Sequence, residues 1–200
     1  MPATYPFSAG PRSASRAGLT LLEMLVVIGL IGLLTAIIAP RIDFEHYQID
    51  GGMQAVSTTL MAAQRAAVAR QHNVAVMFDQ TNSSLRILYD QNNNNAIDAT
   101  ERIRVLQLDT HVRFGRAGAP ALPQIGGSPV TFTRIISGLP SVIFHRNGSA
   151  SQAGGLYLTS VRAAAGLASR QRDTRALELY RATGRPEWWR YNGTEWTRGF

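Results

Sequence analysis

Two hundred residues hold one domain, or one domain plus a separate element, and a hydrophobic content of 45% is enough for a real core. Cysteine is absent, which excludes disulfide frameworks, cysteine-ligated zinc and thiol nucleophiles; all 20 basic residues are arginine, which excludes a P-loop or Schiff-base lysine. Against 13 acids the net charge is +7, and nine arginines but only four acids fall in residues 145–200, so the basic character belongs to the C-terminal end. Such a balance permits nucleic acid or acidic lipid as a partner without requiring either.

Residues 19–39 read LTLLEMLVVIGLIGLLTAIIA, 21 residues with a single charge at Glu23. As a helix rising about 1.5 Å per residue, this run spans roughly 31 Å, the thickness of a bilayer core. Arg12 and Arg16 precede it with no acid between them, which keeps the N-terminus in the cytoplasm and sends the C-terminus across. A cleaved secretory signal has a shorter apolar region and a small-x-small exit, unlike Ile37-Ile38-Ala39-Pro40. A plain membrane anchor leaves Glu23 unexplained, because a lone carboxylate in lipid is costly.

Gly18 followed by Leu19-Thr20-Leu21-Leu22-Glu23-Met24 puts glutamate fifth after the glycine, and Pro40 comes twenty-second. This pattern resembles the class III signal of type IV pilins and type II secretion pseudopilins. Leu19 stands where phenylalanine is commoner, and Ala17 where a basic residue often precedes the glycine. The resemblance implies that a prepilin peptidase removes residues 1–18 and N-methylates Leu19. Residues 19–39 then remain as a transmembrane half-helix. The new α-amine at Leu19 would be neutralised by Glu23 of a neighbouring subunit, since a paired charge in lipid is tolerable where a lone one is not. The implied location is the bacterial inner membrane, single-pass, with the C-terminal domain in the periplasm.

After Pro40, which should kink the helix, Met53, Val56, Leu60, Ala63 and Ala67 step by three and four, one face of an amphipathic helix reaching about Arg70. Gly51-Gly52 should weaken it. Residues 40–72 thus form a second half-helix and 73–200 a β-rich head. Expected strands are 74–78, 85–89, 103–108, 130–132, 142–144, 156–159 and 176–180, separated by turn residues such as Asn147-Gly148 and Gly154-Gly155. Residues 115–129, rich in proline and glycine, read as a long exposed loop, and 162–173 as a polar excursion between strands. The class is α+β, a long N-terminal helix packed on antiparallel sheet.

The head resembles the H-type minor pseudopilins and FimT proteins through the alanine- and arginine-rich segment 60–70, VIFHRNG at 142–148, GGLYL at 154–158 and ALELY leading to Thr183-Gly184-Arg185. That group carries two sheets on its helix and catalyses no reaction. The implied role is a structural subunit of a secretion pseudopilus or related type IV pilus, whose partners are other pilins or pseudopilins, the prepilin peptidase and inner-membrane lipid.

Two further segments carry chemistry. Asp90, Asn92, Asn94, Ala96, Asp98 and Glu101 occupy positions 1, 3, 5, 7, 9 and 12 of a calcium-type loop, with Asn95 where glycine usually makes the turn. The competing reading is an asparagine-rich turn between strands. No cofactor is required by the sequence, and calcium is the one candidate. Near the C-terminus, Arg181, Arg185, Trp188, Trp189 and Arg190 combine phosphate-binding cations with faces that stack bases, which offers DNA as an alternative partner. There the competing reading is a hairpin turning at Asn192-Gly193, with its tryptophans packed on the sheet. Four scattered histidines show no ligand spacing, and no catalytic motif appears.

Overall fold

The computed structural model describes residues 20–38, 44–98 and 100–199, in two units that divide after residue 42. Gly18, Leu19 and Pro40 lie outside the described residues.

The first unit contributes α1, Leu21–Ile38. Thr20 starts it: its hydroxyl accepts the Glu23 N–H at 3.2 Å, and Thr20 and Glu23 have the spacing of a capping box. Thr35 returns its hydroxyl to the Ile31 carbonyl at 2.7 Å, so this polar group is satisfied inside the helix. Leucine, isoleucine and valine are exposed all round α1, with no polar stripe.

In the second unit α2, Phe44–Arg70, runs through Gly51-Gly52 without a break. Gly52 lies over Val112, where a Cβ would sit at an ordinary 3.5 Å, and Gly51 faces open space. Ile49, Met53, Val56, Leu60, Ala63 and Ala67 are all buried, one turn more than the predicted stripe.

Ten strands follow: β1 Asn73–Asp79, β2 Ser84–Asp90, β3 Arg102–Gln107, β4 Val112–Phe114, β5 Arg134–Ile136, β6 Leu139–Phe144, β7 Gly154–Ser160, β8 Arg175–Leu179, β9 Pro186–Tyr191 and β10 Trp196–Arg198. They form two antiparallel sheets, ordered β3-β2-β1-β6-β5 and β10-β9-β8-β7-β4. Alternate residues of both, including Val76, Phe78, Ile87, Phe144, Leu156, Leu158 and Leu177, share one core with the buried stripe of α2. The β1–β2 turn is tied by the Asp79 carboxylate, which accepts from the Asn82 backbone and side chain and from Arg86.

One expectation is corrected, and two segments agree with expectation but carry more structure than the sequence showed. Residues 130–132 make only a single bridge, Val130 to Leu156, because Thr131 spends its hydroxyl on the Gly155 backbone while Phe132 turns in to stack on Phe78. Residues 115–129 are the expected loop and mostly exposed, but the loop is anchored. Ala119, Leu122 and Ile125 are buried, the latter two on the outer face of the second sheet, where the Tyr157 hydroxyl accepts the Leu122 N–H and donates to the Gly126 carbonyl. Gly155 makes this close approach possible, since a Cβ there would fall 2.7 Å from Ile125. The excursion at 162–173 lies between β7 and β8 as expected, and holds a one-turn helix α3, Val161–Ala164, capped by Ser160, and a 3-10 helix, Ala168–Asp173.

Candidate functional site

Four features bear on function, and the first is α1. A helix apolar on every side has no face that favours water. Glu23 sits in its first turn, exposed. Its position has a local explanation: an acid three residues past Thr20, which caps the helix, favours the helix start. Among the described residues no helix is long and apolar enough to cross a membrane. The 18 described residues of α1 rise about 27 Å, against roughly 30 Å of bilayer core.

The loop between β2 and β3 folds around its first residue. Asp90 is buried, and its carboxylate accepts N–H bonds from Asn94 at 3.1 Å and Asn95 at 2.8 Å. Asn92 and Asn94 converge on the Asp98 carboxylate at 2.6 and 2.8 Å, and Glu101 accepts from the Gln91 and Asp98 backbones. Asn95 adopts φ 59°, the left-handed conformation that glycine usually supplies at that position. Asp90, Asn92, Asn94, Asp98 and Glu101 are therefore gathered in one small loop, joined by hydrogen bonds within it. Among the described residues no three His, Asp or Glu side chains group as a metal site, so a cation here would rely on amide and carbonyl oxygens such as that of Ala96 as well.

The C-terminal segment is the hairpin β9–β10, with Trp196 opposite Tyr191 and Arg198 opposite Trp189. Trp188 packs against the main core; Trp189 and Trp196 lie on the opposite face, over Leu122, Ile125 and Tyr157. The Trp196 indole N–H donates to the Pro120 carbonyl, while the Arg198 guanidinium lies over the Trp189 ring and pairs with Glu187. Arg190 is bound to Asp50 at 2.9 Å. Of the five residues proposed for nucleic acid, Arg181 and Arg185 are exposed, and Trp188, Trp189 and Arg190 are half-buried. The geometry does not assemble a base-stacking platform.

Sequence reasoning missed the fourth feature, an ionic cluster at the start of α2. Arg175 on β8 has no exposed surface; its Nε donates to Asp50 at 2.5 Å, and Nη1 donates to the Arg172 and Thr174 carbonyls. Its Nη2 reaches both ring nitrogens of His46 at 3.1 and 3.3 Å. Asp50 also holds Arg190, which lies directly across from Arg175 in the β8–β9 pair. His46 lies 3.6 Å from Asp50 and 3.9 Å from Asp173. Burial first, and then the Arg175 charge, pull the His46 pKa below its usual 6.5. Nothing here aims at an open cleft, so the cluster fastens the helix to the second sheet.

An apolar helix, and an amphipathic one laid on antiparallel sheets, are consistent with a pilin-like fold. Over 88 residues the chain is 30% identical to the pilin-like protein PilA1 of Thermus thermophilus, a match covering 44% of this chain and 56% of that relative. The chain therefore spans just over half the length of the curated relative it matches. No protein-family profile matches the chain, and no solved structure does.

Proposed function

We propose that the chain is a minor pilin-like subunit, built to polymerise through its N-terminal helix and not to catalyse. The observation that carries this is α1, whose apolar side chains point outward in every direction. The likeness to a pilin-like protein supports the same role. On this reading a prepilin peptidase cleaves between Gly18 and Leu19 and methylates Leu19, and residues 19–39 span the inner membrane before assembly. Pro40 kinks the passage to α2, and the head stands in the periplasm. Glu23 pairs with the Leu19 amine of the next subunit in a secretion pseudopilus or a type IV pilus. Capping and pairing are compatible, because the cap uses the Glu23 backbone N–H and leaves its carboxylate free to pair.

Two measurements test it. Intact-mass analysis of the membrane-extracted chain is expected to find residues 19–200 plus one methyl group. Glu23→Ala is expected to remain folded and processed yet be missing from sheared filaments, whereas Glu23→Gln, which keeps the shape without the charge, is expected to be missing as well. Normal incorporation of Glu23→Gln would refute the charge pair.

Calcium is the cation that the 90–101 loop would take. The Asn92 and Asn94 nitrogens now face Asp98 while their oxygens accept the Asn94 and Ala96 N–H groups, so an oxygen shell would form only if the loop gave up those bonds and drew Asp90, the Ala96 carbonyl, Asp98 and Glu101 together around the ion. Calcium is expected to raise the melting temperature of the wild-type chain and not that of Glu101→Gln; equal responses would remove the site. DNA uptake is the weaker reading, since Trp188, Trp189 and Arg190 are already engaged within the head.

A further inference from the structure

The edge of the first sheet at β3 is unlike the rest of the head. Its neighbour β2 is almost wholly buried, yet five of the six residues of β3 are exposed, and among the described residues no strand pairs with its outer side. The register of β3 on β2 sets Arg102, Arg104 and Leu106 on the inner face, opposite Tyr89, Ile87 and Leu85, and Ile103 and Val105 on the outer face. Those two apolar side chains are 40% and 60% exposed. On the inner side a groove of about 190 Å³ opens between β3 and α2, lined by Thr58, Thr59 and Ala62 of the helix and by Ile87, Tyr89 and Arg104 of the sheet. Small helix residues leave this room, which is wide enough for side chains of an added strand.

Charge selects the occupant. Among the described residues the carboxylates of Asp79, Glu45, Asp50 and Glu187 are committed to Arg86, to Arg162, to Arg175 and Arg190, and to Arg198. Arg102 and Arg104 have no acidic partner there. A second copy of the same edge, paired antiparallel and centred on Arg104, would set Arg104 against Arg104, which is destabilising; centred on Val105 it would set Arg104 against Leu106, and neither register gives the arginines an acidic partner.

We propose that β3 is a docking edge for an extended strand of another protein in which acidic residues alternate with apolar ones. The acids enter the groove side to meet Arg102 and Arg104, and the apolar residues lie on Ile103 and Val105. Main-chain hydrogen bonds to the free edge supply affinity, and the alternating side chains supply selectivity, as in strand addition generally. An unpaired edge flanked by inward-facing arginines also resists indiscriminate pairing, so the same residues that reject a like strand admit an acidic one.

The test uses the full chain in detergent micelles with two labelled hexapeptides, one alternating valine and glutamate, the other alternating valine and arginine. The glutamate peptide is expected to bind about tenfold more tightly, a difference of about 1.4 kcal/mol. It is also expected to slow hydrogen exchange across residues 102–107. The Arg102→Glu/Arg104→Glu chain is expected to invert the preference, an outcome that a misfolded variant could not produce. Equal binding of the two peptides, a preference that survives the double substitution, or protection confined to other segments would overturn the proposal. A wild-type dimer whose exchange protection falls on 102–107 would assign the edge to a second copy and overturn it too.

Discussion

Removing the Asp50 carboxylate tests how the head is fastened to its helix. Asp50 is the counter-ion for two guanidiniums at once, Arg175 at 2.5 Å and Arg190 at 2.9 Å, which face each other across adjacent strands. In Asp50→Ala, Arg175 keeps the Arg172 and Thr174 carbonyls and its contact with the His46 ring, but stays buried beside Arg190 without the carboxylate that both share. Breaking one side of a buried pair costs about 3–5 kcal/mol, and the partial exposure of Asp50 and Arg190 places this case near about 3 kcal/mol. That is a large share of a stability of about 5–15 kcal/mol. Asp50→Asn, which keeps a hydrogen-bond acceptor, is expected to lose about half as much, and Arg190→Ala about 1 kcal/mol, because neither strands a buried charge in the same way. Equilibrium denaturation followed by the fluorescence of Trp188, Trp189 and Trp196 reads the transition close to the cluster. A loss below about 1 kcal/mol for Asp50→Ala would refute the reasoning, since the buried guanidinium would then be satisfied by other means.

Three more expectations follow from the head. The depressed His46 pKa means that the fold prefers the neutral ring, so the stability it contributes is present above pH 6.5 and is lost as the pH falls from there toward the folded-state value; denaturation of wild type and His46→Gln across pH 7.5 to about 5 is expected to show that slope in wild type alone. Glu178 sits directly opposite Glu187, and burial, followed by the Glu187 charge, raises its pKa; Glu178→Gln is expected to leave stability at pH 7 unchanged or raise it by up to about 1 kcal/mol, a gain that fades in acid as the wild-type carboxyl is protonated. A Cβ at Gly155 would lie 2.1 Å from the Leu177 carbonyl oxygen, so Gly155→Ala is expected to cost at least about 2–3 kcal/mol in the same denaturation assay.

What was legible in the sequence was periodic. Met53 to Ala67 announced the buried stripe of α2 because a helix repeats its face every three to four residues, and alternation marked β1, β2, β3 and β7. Three-residue strands such as β4 and β5 carry too little pattern to register. Composition read the exposure of 115–129 but not its anchoring, in which Leu122 and Ile125 are held against Tyr157 by its hydroxyl. The ionic cluster had no local signature, since Asp50 and Arg175 are 125 residues apart and only the fold joins them. For the loop at 90–101 the spacing was readable and the left-handed Asn95 was foreseeable, because asparagine tolerates that conformation.

The strand order carries a consequence for how the head is made. β4 leaves for the second sheet before β5 and β6 return to finish the first, so the two sheets are interleaved along the chain. Neither can be completed and set aside while the other is being synthesised. The closing contacts are also the most distant: the residues that clamp α2 arrive with β8 and β9. Non-local closure of this kind makes folding slow and all-or-none. Until its final strands arrive the chain stays open to chaperones and proteases, and the last quarter of the sequence decides when the head becomes committed to its native form.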